Sequence, residues 1–336
     1  MTSFARNTKR AIELFLTDKA SHCPDRCQQY LSVQHAERRL LQDAFFIGRQ
    51  LATTPLKVLL LFVLLAGTTW ADECRLQLTT SSASNTQQVA VKKVIDGDTI
   101  RLYDNRLVRF IGINTPEIDH KFGNSQPLAE RGRDFLQTII AKQQGKIQIQ
   151  FDVERHDRHG RLLAHLFTLD GSNIQAEMIR QGLGVWIVVP PNLQYMDCYR
   201  AKERIARQNK AGVWGVQFQS PRDIQSLTKQ DRGFQWIRGR IVHIGKGKKY
   251  LWLNFADDAL FASESKNKKL RSRVTLRVRK DDLHYFNEYP VDSFINKTVT
   301  VRGWLSQYKN QLVMSLRHPA SIEFVNQSIE ASEREK

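Results

Sequence analysis

The sequence predicts a mainly β protein with a few helices, folded as two five-stranded barrels in series. Short strands with alternating apolar residues follow one another between residues 89 and 168, and five more do so between residues 233 and 318. A polar stretch with one proline, residues 216–232, separates the two groups and is typical of a linker. A chain of 336 residues is long enough for two domains of ordinary size.

The first group, residues 89–215, combines its strands with helices. The expected strands are 89–94, 99–103, 107–113, 146–153 and 162–168, and the expected helices are 128–142, 174–181 and 194–209. Five strands with intervening helices fit an OB-type barrel, a fold whose open rim binds oligonucleotides.

The second group, residues 233–325, is expected to form an OB-like barrel of its own. Its strands are predicted at 233–244, 248–256, 273–279, 297–306 and 311–318, with a helical segment at 281–286. The charged tail that follows, residues 326–336, has the composition of a disordered segment.

Aromatic and basic residues alternate in this second group. Trp252 and Trp304 are interleaved with basic residues that include Lys248 and Lys249, a pattern that suits base stacking in a charged groove. Aromatic residues of small barrels also fill the core, so both interpretations stay open at this point.

The net charge favours a polyanionic partner. The chain has 51 Lys and Arg against 34 Asp and Glu, a formal charge of +17. Residues 89–215 hold 19 basic and 14 acidic side chains, whereas the shorter range 233–318 holds 17 and 7. Nucleic acid and anionic membrane both fit such a surplus, and most of the positive field belongs to the second barrel.

A lysine followed by an apolar run, residues 57–71, has the length and flanks of a signal peptide. The run is shorter than the roughly 20 residues that span a bilayer. Residues 1–56 either precede the true start or form a cytoplasmic tail, and the short run favours the first interpretation. We therefore expect an exported protein, periplasmic or secreted, with no stable membrane anchor after cleavage and a mobile N-terminal segment at 72–88.

The four cysteines divide between leader and mature chain. Cys23 and Cys27 lie in the leader, where a weak zinc pattern and unrelated residues are the two interpretations. The mature chain keeps Cys74 and Cys198. An even pair in an exported protein suggests a disulfide, with two buried thiols as the alternative.

Residues 92–117 concentrate the groups that carry chemistry. Asp96 and Asp98 flank Gly97 at a tight turn, and Arg109 interrupts an otherwise apolar strand. An arginine on such a face costs desolvation unless an anion meets it. Glu117 follows Pro116, which forces the chain off the sheet. Acids and an arginine at converging strand ends are what phosphodiester hydrolysis needs.

Three motifs in this order, IDGDT at 95–99, VRFIGINTPE at 108–117 and DRHGR at 157–161, resemble the thermonuclease (staphylococcal nuclease-like) family. The resemblance extends over roughly residues 89–215. It implies that Asp98, Asn114 and the carbonyl of Thr115 hold Ca²⁺ and that Glu117 positions or activates the attacking water. It also implies that Arg109 and Arg161 brace the scissile phosphate.

Other residues near these motifs are expected to assist or to differ from the family. Asp96 supports the turn or the outer surroundings of the metal, and Arg158 and His159 are candidates to contact nucleic acid. Asn114 replaces an acid of the family, so other divalent ions are candidates beside Ca²⁺. Where the family has nucleotide-binding tyrosines, this chain has Val188, Val189 and Pro190 nearby. A histidine-bound zinc site formed by His156, His159 and His165 is a competing interpretation.

Two functions of different class follow. The first is an exported metal-dependent nuclease that hydrolyses DNA, with RNA as a second candidate substrate. The second is a non-catalytic protein that binds single-stranded nucleic acid. Binding members of this fold lack one or more of the acid and arginine positions, so the presence of Asp98, Arg109, Glu117 and Arg161 favours the enzyme.

Overall fold

The structure is a computed structural model of the chain. It describes residues 74–76, 85–119, 124–218, 220–228, 230–256, 274–308 and 311–325. The predicted leader, signal peptide and charged tail lie outside the described residues, as does most of the N-terminal segment. Among the residues that the structure describes, no helix combines the length and apolar character needed to cross a bilayer.

The first barrel closes as predicted. Its strands are β1 (Thr86–Asp96), β2 (Thr99–Leu102), β3 (Leu107–Phe110), β5 (Lys146–Gln150) and β6 (Leu162–Phe167), and a short β4 (Ile113–Asn114) follows β3. The barrel order is β1-β2-β3-β6-β5, with β3 and β6 parallel and the other neighbours antiparallel. In the order of its five strands, this is the 1-2-3-5-4-1 arrangement of an OB-type barrel.

Helices pack around this barrel close to their predicted positions. They are α1 (Ala129–Lys142), α2 (Ile174–Arg180), α3 (Met196–Gln208) and the single turn α4 (Val213–Val216), with β7 (Val185–Trp186) between α2 and α3. Apolar residues from the strands and from one face of each long helix form one continuous core. Cys74 and Cys198 are joined by a disulfide, which ties the N-terminal end of the described chain to α3.

Two predicted segments of the first barrel differ from the structure. Thr86–Gln88, placed in the mobile N-terminal segment by sequence, already pair with β5, because their backbone groups complete its ladder. The expected strand 107–113 is broken at Gly112, whose φ of +80° turns the chain so that β4 leaves the barrel and pairs with β7. A side chain at Gly112 would lie 2.3 Å from the ring of Tyr199, so the bend also depends on the absence of a Cβ.

The second barrel has all five predicted strands and a core of its own. They are β9 (Gly233–Lys246), β10 (Tyr250–Phe255), β11 (Val274–Arg279), β12 (Thr298–Tyr308) and β13 (Gln311–Ser315), with β14 (Ile322–Phe324) added beside β12. The order β9-β10-β11-β13-β12 closes through a β12–β9 pairing and has β11 and β13 parallel, so it repeats the topology of the first barrel. The segment predicted as helical is a 3₁₀ helix, Lys280–Phe286.

The segment predicted as a linker is part of the second barrel. Strand β8 (Arg222–Asp223) pairs with β9, and a 3₁₀ turn follows at Ile224–Ser226. Ile224 and Leu227 are buried in the second core. The prediction of a free linker at 216–232 was wrong, because the polar composition of this range outweighed its two buried apolar residues.

A buried carboxylate joins the two barrels. Glu203 on α3 is 2% exposed; its Oε1 lies 2.6 Å from Arg302 of β12 and 2.8 Å from Arg207. Its Oε2 accepts the backbone N–H of Trp186 at 2.9 Å. The guanidinium of Arg302 also lies over the Trp186 ring, 4.7 Å from its centroid. Trp186 belongs to β7, and β7 pairs with β4, the strand that contains Asn114. The ion pair therefore links the second barrel to the strand that carries Asn114.

Removal of the Glu203 charge is predicted to destabilise the protein strongly. A buried ion pair that loses one partner leaves the other charge uncompensated, so Glu203→Gln is expected to lower the free energy of unfolding by about 3 kcal/mol. Glu323 provides a matched control, since it contacts Arg207 and Arg302 but is 47% exposed. Glu323→Gln is expected to cost less than about 1 kcal/mol. Denaturant unfolding of both variants measures the difference, and equal costs would contradict the role assigned to Glu203.

Candidate active site

The Asp98 carboxylate is the centre of the site. It is 3% exposed and lies in the turn between β1 and β2. Its Oδ2 accepts the backbone N–H of Thr115 at 2.9 Å and lies 2.9 Å from the Arg109 guanidinium. Its Oδ1 accepts the Thr99 hydroxyl at 3.1 Å. One side chain therefore joins the first turn of the barrel to the loop that carries Thr115 and Glu117.

Gly97 permits this close approach. A Cβ at Gly97 would lie 2.9 Å from the side chain of Thr115, a separation that real Cβ atoms do not show. The glycine of the motif is therefore required by packing between the turn and the β4 loop.

Arg109 has the anionic partner that its position in an apolar strand predicted. Besides Asp98, its guanidinium donates to the carbonyls of Phe110 at 3.0 Å and Ile113 at 2.9 Å, and to Asn114 Oδ1 at 3.3 Å. The same side chain lines the cleft described below. Arg109 thus holds the β3–β4 bend together and presents positive charge to the cleft.

Glu117 is exposed at the edge of the cleft, and its backbone is fixed by Gln126, whose Oε1 accepts the Glu117 N–H at 3.0 Å. Partial desolvation in the cleft and the negative charge of Asp98 raise the pKa of its carboxyl, while Arg109 and Arg161 oppose the rise. The two arginines and the glutamate are therefore within electrostatic reach of one another.

Asp96 supports the turn, as expected. Its Oδ1 accepts the backbone N–H of Asp98 at 3.0 Å. Burial, followed by the like charges of Asp98 and Glu117, raises the pKa of its carboxyl to about 7. The negative charges of Asp98 and Glu117 thus act on the Asp96 carboxyl, and an added cation would relieve this repulsion.

Arg161 follows a turn held by Asp157. The Asp157 carboxylate accepts the N–H groups of His159 at 2.8 Å and Arg161 at 3.0 Å, and its Oδ2 lies 2.7 Å from Nε of Arg161. The pKa of Asp157 is lowered because these donors, Arg161 above all, outweigh its desolvation. Asp157 therefore aims the arginine that the sequence motif marks.

A cleft of about 720 Å³ brings most of the expected residues together. Arg109, Asn114, Glu117 and Arg161 line it, and Asp98 and Thr115 are buried behind them. Arg158, His159 and, from the second barrel, Trp304 also line it. Trp252, Lys248 and Lys249 lie outside this lining, although they belong to the same second barrel.

The cleft wall and the histidines clarify two further expectations. Val188 and Val189, expected near the nucleotide, line the cleft. His165 is buried in the core, where its Nδ1 contacts the Tyr199 hydroxyl at 2.7 Å and its Nε2 lies 3.7 Å from Asp152. Desolvation lowers the pKa of His165, and the ring acts as a core residue, which argues against a shared histidine zinc site.

The donor atoms near Asp98 suit a hard cation. They are oxygens: the Asp98 carboxylate, the Asn114 amide and the backbone of Thr115. In the described part of the chain, no three His, Cys, Asp or Glu side chains converge as a metal site. A cation here would therefore rest mainly on one carboxylate and would share it with Arg109.

Comparison with known proteins agrees with this geometry. The family model described as "Staphylococcal nuclease homologue" matches residues 107–216, a range that holds Arg109, Asn114, Thr115, Glu117 and Arg161. A thermonuclease of Staphylococcus intermedius is 30% identical over 128 residues, which are 37% of this chain and 74% of that protein. The chain belongs to the staphylococcal nuclease homologue family.

Two relatives from Bacillus subtilis (strain 168) are similar over a comparable length. "Endonuclease YncB" is 34% identical and "SPbeta prophage-derived endonuclease YokF" is 33% identical, each over 131 residues, or 38% of this chain. The chain covers 61% and 43% of these two proteins. The range that the family model matches ends before the second barrel.

Sequence reasoning missed the residues that position the site. Asp157 had a visible signal, because it precedes Arg161 by four residues across a Gly-containing turn. Gln126 and the inter-barrel pair of Glu203 and Arg302 had none, since their partners are 9 and 99 residues away in the chain.

Proposed function

We propose that the protein is a metal-dependent nuclease that hydrolyses phosphodiester bonds of nucleic acid. The observation that carries the proposal is that Arg109, Arg161 and Glu117 line one cleft beside the buried carboxylate of Asp98. Two guanidinium groups and one carboxylate of raised pKa at one point match the charges of a phosphodiester under attack by water. The relatives named as endonucleases support this proposal.

In the proposed reaction, Glu117 holds a water molecule and accepts its proton as the water oxygen attacks phosphorus. The P–O bond to the leaving strand then breaks, and that oxygen takes up a proton from solvent. Arg109 and Arg161 donate to the non-bridging oxygens, whose negative charge grows in the transition state. Ion pairs with Asp98 and Asp157 hold both guanidinium groups ready, so little reorganisation is needed.

Asp98, Asn114 and the Thr115 carbonyl are the residues proposed to hold Ca²⁺ or another divalent ion. When bound, the ion would supply further positive charge beside the phosphate and relieve the electrostatic repulsion among the Asp96, Asp98 and Glu117 carboxylates. Asn114 brings no charge to this set, so the site is proposed to be charge-poor.

We also propose that the protein is exported. The disulfide between Cys74 and Cys198 supports this, because such bonds persist in oxidising compartments. DNA and RNA are the candidate substrates. The rival function, binding of single strands without turnover, predicts that nucleic acid stays intact in the presence of divalent ions.

Substitution of Glu117 or of Arg161 is predicted to lower kcat without loss of the fold. Glu117→Gln and Arg161→Gln are expected to lower kcat by at least about 100-fold, because each group acts on the transition state. Substitution of Arg109 is a poorer test, since its loss would leave Asp98 buried without a charge partner. Hydrolysis of plasmid DNA and of RNA, with and without chelator, is the measurement. Near-normal kcat in either variant would remove that residue from the mechanism.

The charge at position 114 is predicted to set the metal requirement. Asn114→Asp adds a negative ligand, so half-maximal activity is expected at a metal concentration lower by about tenfold or more. Titration of Ca²⁺ against activity for both proteins measures this. Asp104→Asn, a change at an exposed ion pair with Arg106, serves as the control and is expected to change nothing. An unchanged requirement in Asn114→Asp would show that position 114 is not a ligand.

A further inference from the structure

The cleft has two walls, and the second barrel supplies one of them. The first barrel contributes the catalytic groups. The second contributes residues from β9, β11, β12 and β13 and from the segment after β13: Phe234, Arg277, Arg302, Trp304, Ser315 and Arg317. The buried pair of Glu203 and Arg302 fixes the second wall against the first.

Trp304 presents an aromatic surface to this cleft. Residues of β12 alternate, with Leu305 buried in the second core and Trp304 and Ser306 exposed on the outer face. A T-shaped contact with Phe234, 5.2 Å between ring centroids, holds the indole while the residue remains 44% exposed. A core tryptophan would be covered, so this residue fits the binding interpretation of the aromatic pattern.

Arg277 presents positive charge beside it. On the sheet, Arg277 pairs with Ser315 on one side and Trp252 on the other. Its guanidinium donates to Ser315 Oγ at 2.9 Å and lies 4.9 Å from the centre of the Tyr250 ring. These contacts fix its direction without neutralising it.

The other two arginines of this wall are already paired. Arg302 lies against Glu203, and Arg317 contacts both carboxylate oxygens of Asp282 at 3.1 and 3.3 Å. Within the described ranges, no carboxylate forms an ion pair with Arg277. It is therefore the arginine of this wall best suited to receive a phosphate.

We propose that this wall, supplied by the second barrel, binds an unpaired nucleic-acid strand and leads it to the catalytic arginines. The proposal rests on the nuclease function proposed above. One base of the strand stacks on Trp304, and a neighbouring phosphate contacts Arg277. Stacking on protein requires a base whose face is free, which a paired and stacked duplex does not offer.

The size of the cleft agrees with a single strand. Its volume of about 720 Å³ lies within the range of roughly 300–1,000 Å³ typical of sites for small ligands. Such a volume takes a few nucleotides of one strand.

The test compares strand lengths. Rates of hydrolysis are measured for a dinucleotide and a 12-nucleotide single strand, as DNA and as RNA. Wild type is expected to cleave the 12-nucleotide strand with a kcat/KM at least about tenfold above that of the dinucleotide, because only the longer strand can reach both the catalytic groups and the wall. Trp304→Ala is expected to lower the ratio of kcat/KM for the 12-nucleotide strand to that for the dinucleotide by about tenfold. Trp304→Phe keeps a stacking surface and is expected to restore most of that ratio.

A binding measurement isolates the charge of Arg277. Anisotropy of a labelled 12-nucleotide strand, recorded in chelator, gives the salt dependence of affinity. Arg277→Gln is expected to reduce the slope of log affinity against log salt by about 0.7, the value for one phosphate contact on a single strand. The controls are Tyr289→Ala and Arg240→Gln, exposed residues of the second barrel outside the cleft lining, and both are expected to match wild type.

The outcomes separate this proposal from the nuclease proposal. Activity on the dinucleotide, with no effect of Trp304→Ala on the ratio of strand to dinucleotide for either DNA or RNA, would overturn the proposed role of this wall and leave the nuclease proposal intact. Absence of hydrolysis for all substrates would overturn the nuclease proposal. In that case, loss of binding in Trp304→Ala but not in Tyr289→Ala would still support the wall.

Discussion

The position of one buried carboxylate constrains the whole active site. Asp98 receives the Thr115 N–H, the Thr99 hydroxyl and the Arg109 guanidinium, so it joins the β1–β2 turn to the bend after β3. A buried carboxylate is tolerated only when donors and opposite charge surround it. These contacts satisfy that condition, and they also fix where Arg109 and the Glu117 loop meet the cleft. The same contacts therefore stabilise the barrel and position the site.

A second buried carboxylate, that of Glu203, holds the other barrel in place beside the site. Glu203 accepts from the backbone of Trp186 and pairs with Arg302, which makes the second barrel a fixed wall rather than a tethered module. For this reason, deletion of the second barrel would be a poor test of its role. The deletion would leave the Glu203 carboxylate without Arg302 and would expose the apolar residues around Glu203. Substitutions on the open side of that wall, at Trp304 and Arg277, address function without disturbing the joint.

The alternation of apolar and polar residues along the sequence predicted most of the fold, and the errors of this prediction have physical causes. Alternation placed all ten barrel strands, because each buries one face against a core. It missed the break at Gly112, where the positive φ and the contact with Tyr199 are tertiary facts. The site residues of the motifs could be assigned by resemblance. Their supports could not, since Glu203 and Arg302 are 99 residues apart and each alone reads as a surface charge.

The proposed mechanism depends most directly on Asp98 as the centre of a cation site. Calorimetric titration of Ca²⁺ into the wild type and into Asp98→Asn tests it, with the oxidised protein and a spectroscopic check of the fold. We expect one Ca²⁺ site per chain in the wild type. In Asp98→Asn, the affinity for Ca²⁺ is expected to fall by at least about tenfold, because the main charged ligand is gone. Equal affinity in the two proteins, with both folded, would contradict it.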